Sequence, residues 1–188
     1  MSERAHPDDP GFRVGWRGQT LLGWLPWFSR RSNPYREALF WRYEWASQFC
    51  RGKRVLDIPC GMGWGTSLIK HAANVVGIDV SADAVNEARK RYGRHIRFEI
   101  GDMKLLKFPD ASFDVVCCLE GIEHISPDAG REFLMESRRV MAPGGVLLLS
   151  SPYCKTKPHS GNPYHVHEYR PKEIQTVVEE HYLIDEII

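Results

Sequence analysis

Four side chains carry most of the chemistry that can be read from this sequence. Glu120, Glu123 and His124 form an E-x-x-E-H run directly after the apolar stretch FDVVCCL, and His165 follows in the polar stretch NPYHVHEY. Carboxylate and imidazole together suit a divalent cation that would lower the pKa of a bound hydroxyl. Imidazole alone suits a general base, since it titrates near neutral pH. The metal reading takes all four residues as ligands. The plainer reading has Glu120 lining a pocket, Glu123 in solvent and His124 or His165 as the base. If a helical turn opens after the apolar run, Glu120, Glu123 and His124 share one face. His159, His167 and His181 read as surface residues.

A second constellation lies upstream in VLDIPCGMGWGT, where Gly61, Gly63 and Gly65 turn the chain from strand towards helix. Glycines serve where backbone turns sharply and a ligand approaches it closely. A nicotinamide fingerprint would place a third glycine where Thr66 stands. Asp57, at the strand end, would oppose a pyrophosphate and favour a ligand bearing ammonium and sulfonium groups. Asp79 follows 22 residues later, placed to accept the hydroxyls of a ribose. Asp102, after Gly101, could read an adenine amino group. Cys60 receives no role.

The elements that position these groups follow from periodicity. Short β-rich runs alternate with helix-length segments, which is the pattern of βαβ units and a parallel sheet. Strands are expected at Arg54–Ile58, Asn74–Asp79, Ile96–Ile100, Phe113–Leu119 and Gly145–Ser150. Helices are expected at Thr66–Ala73, Ala82–Tyr92, Asp128–Met141 and Pro171–His181. Tyr182–Ile188 reads as a further strand. Upstream, Asn33 and Pro34 read as a helix start, and Ala38, Trp41, Trp45 and Phe49 recur at helical spacing as a stripe that packs the helix on the sheet.

Taken together, VLDIPCGMGWGT, VVGIDVS, IGDMKLLKFPDASFDVV and RRVMAPGGVLLLSSP resemble the class I S-adenosylmethionine-dependent methyltransferases, over about residues 50 to 188. The type is similar to those of bacterial glycan or secondary-metabolite biosynthesis. The resemblance implies an α/β fold, a Rossmann-like, doubly wound and mostly parallel sheet, with strand order 3-2-1-4-5-7-6. The seventh strand is not found in the sequence, so C-terminal strands are expected to be missing from this chain. It implies S-adenosylmethionine as cofactor, with Asp57, Gly61 and Gly63 at its methionine end, Asp79 and Val80 at ribose and adenine, Asp102 and Met103 at adenine, and Leu119 at the sulfonium side. The E-x-x-E-H run with a later His is similar to the metal site of small-RNA 2′-O-methyltransferases and to ubiquinone-pathway O-methyltransferases. That implies a divalent ion, Mg²⁺ or Mn²⁺, on Glu120, Glu123, His124 and His165. The expected reaction is methyl transfer to a hydroxyl of a small molecule, sugar or glycan precursor. An RNA 2′-O-methyltransferase and a cofactor-binding module without turnover are the alternatives.

Composition limits the field further. The chain has 188 residues, 43% hydrophobic and 26% charged, with a formal charge of +1, so no global field draws it to nucleic acid or an anionic surface. Residues 1–56 nevertheless carry a net +5, and they hold five of the six tryptophans: Trp16, Trp24, Trp27, Trp41 and Trp45. Two regions are therefore expected. Residues 1–50 form a basic, Trp-rich segment with one amphipathic helix, and 51–188 form the cofactor-binding domain. An RNA partner would have to use that basic segment for phosphate contacts. The apolar stretch Thr20–Phe28 is too short for a membrane span, and no secretory leader is evident, so a cytoplasmic location is expected. Five cysteines with no C-x-x-C pair point to reduced thiols. Cys117 and Cys118, adjacent in a strand, should face opposite sides of the sheet.

Overall fold

The computed structural model describes residues 34–153 and 159–187. The calls made on Trp16, Trp24, Trp27 and Cys154 lie outside the described residues. Strands β1 (Arg54–Asp57), β2 (Asn74–Asp79), β3 (Arg97–Ile100), β4 (Phe113–Leu119) and β5 (Met141–Ser150) form one sheet in the order β3-β2-β1-β4-β5. All four pairings are parallel. The chain order reverses between β1 and β4, and a crevice at the carboxyl ends of strands forms at such a switch point.

Both faces of the sheet are covered, which is why its strands read as continuous apolar runs rather than alternating ones. Helices α3 (Pro127–Val140) and α4 (Pro171–Glu179) cover one face through Phe133, Leu134 and Val177, packed with Leu56, Ile58, Val116 and Cys118. Helix α1 (Pro34–Ser47) covers the other through Tyr43 and Ala46, packed with Val55, Val115 and Cys117. The two adjacent cysteines thus enter opposite layers, as strand pleating requires. Helix α2 (Ala82–Tyr92) lays Val85 and Ala88 on Phe98 of β3. Ser81 caps it by accepting from Ala84 N, and Arg89, Lys90 and Arg91 in its last turn complement the helix dipole.

Several boundaries differ from the sequence reading. Of the expected stripe on α1, Trp45 packs against the sheet-side core, but Trp41 is 54% exposed and Phe49 40%, while Tyr43, Ala46 and Cys50 are buried. Leu39, Tyr43, Ala46 and Cys50 satisfy helical spacing equally well, and contact with the sheet decided between the two faces. Thr66–Ala73 contracts to a 3-10 turn, Thr66–Leu68, after which Ile69 is extended. Ile69 leaves the helical path to pack under α1. Strand β5 begins at Met141 directly after α3. Its register with β4 jumps from Phe113↔Met141 to Val115↔Val146, and the excursion Pro143–Gly145 absorbs the extra residues. Residues 182–187 form no strand, since the sheet offers them no ladder. Tyr182 instead hydrogen-bonds Ser137 at 2.7 Å, and Leu183 is 95% exposed. Among the described residues no helix is long and apolar enough to cross a membrane.

Candidate active site

The glycine turn after β1 is held from below by a buried carboxylate. Asp57 is 0% exposed and accepts from Thr66 Oγ1 at 2.6 Å and from Tyr43 Oη at 3.2 Å to each of its oxygens. Burial pushes its pKa up to about 7, against the pull of the Thr66 and Tyr43 hydrogen bonds. Through Thr66 the carboxylate braces the loop that follows β1. Gly61 and Gly63 have φ of +53° and +78°, a region that glycine adopts without steric cost. At Gly65 close packing is the reason for glycine: a Cβ there would lie 2.1 Å from the Tyr43 ring.

Asp79 ends β2 with 1% exposure. Its Oδ2 accepts from Gly61 N at 3.0 Å and its Oδ1 from Ser81 N at 2.9 Å, so one carboxylate ties the glycine turn to the cap of α2. Three apolar side chains stand open beside it: Val80 (61% exposed), Ile100 (51%) and Leu105 (65%). The turn Asp102–Leu105 closes through Leu105 N on Asp102 O at 3.0 Å, while Asp102 Oδ1 accepts from Lys104 N at 3.0 Å. Met103 is only 8% exposed and joins the core, so only its main chain is available to a ligand. Leu119, at the end of β4, is likewise buried.

Beyond Leu119 the backbone bends sharply at Glu120, whose φ is +57°. This left-handed conformation is costly for a residue with a Cβ, and it ends the strand before the 3-10 turn Ile122–His124 begins. Glu120 therefore does not share a helical face with Glu123 and His124. It turns instead to Arg42 of α1, whose Nε lies 3.3 Å from its Oε1, and accepts from Ser150 Oγ at 2.9 Å.

Glu123, expected in solvent by the plainer reading, is 0% exposed, and among the described residues neither carboxylate oxygen has a hydrogen-bond partner. Burial, then the nearby charge of Glu120, push its pKa up to about 8. Ligand atoms of Glu123, His124 and His165 all lie within 4.8 Å of one another, and the two imidazole rings are 5.1 Å apart. Three of the four residues proposed from sequence thus converge, and Glu120 stays with Arg42. The loop bearing His165 is clamped on this turn: Val166 N and His167 N both donate to Glu123 O, at 2.7 and 3.1 Å. His124 Nδ1 lies 3.0 Å from Tyr164 O. A carbonyl only accepts, so Nδ1 carries a proton.

An orphaned buried carboxylate beside two imidazoles is a donor set that fits a divalent cation. It equally fits a proton shared between Glu123 and a neighbouring base. Residues that sequence reasoning missed are Arg42, Tyr43, Ile100, Leu105 and Glu168, whose Oε1 lies 2.5 Å from His165 Nδ1. Arg42 and Tyr43 were passed over because the tryptophans dominated the helical pattern. His159, expected at the surface, has a side chain 41% exposed, with Nε2 3.3 Å from His165 O.

A parallel sheet reversing between β1 and β4, a glycine turn braced by Asp57, and carboxylates closing β2 and the β3 turn define a Rossmann-like class I fold. A family model described as methyltransferase domain matches residues 55–145. A protein of Mycolicibacterium smegmatis named "Probable S-adenosylmethionine-dependent methyltransferase" is 35% identical over 142 residues, covering 73% of this chain and 54% of its own. A second from that organism, named fatty-acid O-methyltransferase, is 39% identical over 101 residues, 52% of this chain and 36% of its own. The solved structure of a methyltransferase from Archaeoglobus fulgidus shares the fold, with a TM-score of 0.69 over 80% of this chain and 70% of that one at 23% identity. The chain belongs to the class I S-adenosylmethionine-dependent methyltransferases, and it spans about half the length of the curated relatives it matches.

Proposed function

We propose that this chain transfers the methyl group of S-adenosylmethionine to an oxygen, with a hydroxyl of a small molecule, sugar or glycan precursor as acceptor. The observation that carries the reading is the convergence of Glu123, His124 and His165 at the carboxyl end of β4, beside the switch point where open sheets bind their ligands. The sulfonium is already a good leaving group, so the transfer needs alignment of donor and acceptor above all. A hydroxyl acceptor must also lose a proton, and His124 and His165 stand as bases for it. The relative whose name specifies an oxygen acceptor favours the same reading.

On the cofactor side, the backbone of Gly61 and Gly63 takes the methionine end, with Asp57 acting through the loop it braces. Asp79 takes the ribose, and Val80, Ile100 and Leu105 supply apolar walls for adenine, whose edge meets Asp102 and the Met103 main chain. Leu119 lies on the sulfonium side. A divalent ion on Glu123, His124 and His165 is the second reading, favoured by the unpartnered buried carboxylate. When bound, such an ion would polarise the acceptor hydroxyl.

The test is a tritiated-methyl transfer screen over glycans, hydroxylated lipids, phenols and short RNAs, with and without Mg²⁺ or Mn²⁺. Transfer to a hydroxyl compound is expected, with His124→Ala and His165→Ala losing turnover while cofactor affinity stays within about twofold. Cofactor binding without transfer to any class, or full turnover in both variants, overturns the assignment.

A further inference from the structure

Glu168 is a charged side chain that neither the cofactor nor the acceptor reading uses, yet it is 3% exposed and lies against His165. Its Oε2 accepts from Ser160 N at 2.7 Å, and its Oε1 accepts from Ser160 Oγ and from His165 Nδ1, the latter at 2.5 Å. On the other side of the imidazole, Asn162 Nδ2 lies 2.9 Å from Nε2. A carboxylate only accepts, so Nδ1 must carry the ring proton, and an amide N–H donating to Nε2 requires a lone pair there. Both neighbours impose the same tautomer. Tyr164 O likewise calls for a proton on His124 Nδ1.

We propose that Glu168 is a positioning residue: it fixes His165 as the Nδ1–H tautomer and leaves the lone pair on Nε2, where Asn162 meets it in this structure. The inference rests on the reading that His165 acts at the acceptor. A carboxylate holding the far nitrogen of an imidazole is a general device, serving a base and a metal-bound histidine alike. It also orders the loop, because Ser160, Glu168 and His165 are joined through one carboxylate.

The geometry makes Glu168→Gln informative. Ser160 N is a backbone donor and demands an oxygen at the Oε2 position. The new amide nitrogen must then take the Oε1 position, where it donates to His165 Nδ1 and moves the ring proton to Nε2. The Ser160 hydroxyl can turn to accept, and Asn162, whose amide N–H would then meet an Nε2–H, must rotate away as the tautomer reverses.

The experiment is long-range ¹H–¹⁵N correlation of histidine-labelled protein, with His165 assigned by the loss of its signals in His165→Ala. Wild type is expected to show Nδ1 protonated and Nε2 bare, and Glu168→Gln the reverse. Alongside, Glu168→Gln should lower kcat by about 10²- to 10⁴-fold, with the Kd for S-adenosylmethionine within about twofold. An Nε2–H tautomer in the wild-type protein overturns the proposal without any variant. So does an unchanged tautomer in folded Glu168→Gln combined with Asn162→Ala, where the second neighbour no longer holds the ring, which would leave Glu168 as a loop tie only. The spectra decide this even if the transfer screen finds no acceptor, so failure of the functional reading is distinguishable from failure of this one.

Discussion

Replacing Tyr43 by Phe removes one of the two side-chain donors to the most deeply buried carboxylate under the cofactor loop. The ring that packs on Gly65 stays, so the change isolates a hydroxyl. That hydroxyl lies 3.2 Å from each Asp57 oxygen, longer than the usual 2.7–2.8 Å for O–H···O. Thr66 makes the tighter bond at 2.6 Å. A hydrogen bond to a charged group is worth about 1.5–3 kcal/mol, and the long, shared geometry places this one at about 1–2 kcal/mol when Asp57 is ionised. The sign with pH follows from the raised carboxyl. Its pKa goes from 3.8 to about 7 on folding, so the stability of keeping it protonated is complete below about pH 4 and is lost as the pH climbs to about 7. Above that the fold holds a buried anion that depends on its donors. The Tyr43→Phe penalty should therefore be about 0.5 kcal/mol near about pH 5.5 and about 1–2 kcal/mol near about pH 8.5. Urea unfolding at the two pH values, with the m-value unchanged, measures it. A penalty that is equal at both, or larger in acid, refutes the reasoning.

The same linkage predicts that the wild-type protein loses as much as about 4 kcal/mol between about pH 4 and about pH 7 through Asp57. Asp57→Asn should flatten that slope in the same unfolding series, and an unchanged slope would remove Asp57 as its source. Gly65→Ala should destabilise by about 1–3 kcal/mol through overpacking, because its Cβ meets Tyr43 Cε2 at 2.1 Å. Tyr43→Ala combined with it should cost at least about 1 kcal/mol less than the sum of the singles, and strict additivity would deny the contact. For the ion, EDTA should lower turnover and Mn²⁺ restore it, with Glu123→Gln abolishing Mn²⁺ binding in calorimetry. Full turnover in EDTA would leave the imidazoles as bases acting without metal.

The cofactor half of the site is local in sequence, and for that reason it was legible. Asp57, Gly61, Gly63, Asp79 and Asp102 each stand at the end of a strand or in the turn that follows, and parallel pairing brings all such ends to one edge. Strand periodicity was enough to place them, and the order of the motifs identified the family. Which side chains face the ligand was not legible, because burial is a property of neighbours distant in sequence. Asp57 and Met103 turn inward because α1 and the core close over them, and Ile100 and Leu105 stand open among the described residues. On α1 two stripes had equal periodicity, and contact with the sheet buried Tyr43 and Ala46 fully and Trp45 only in part. At the acceptor side the spacing of E-x-x-E-H pointed to four ligands. The left-handed backbone at Glu120, set where β4 meets β5, sends that side chain to Arg42 and leaves Glu123 buried beside His124. His165 reaches them because Val166 N and His167 N dock on Glu123 O. Such a backbone contact leaves no trace in residue types, so only the tertiary structure could decide which of the four residues meet.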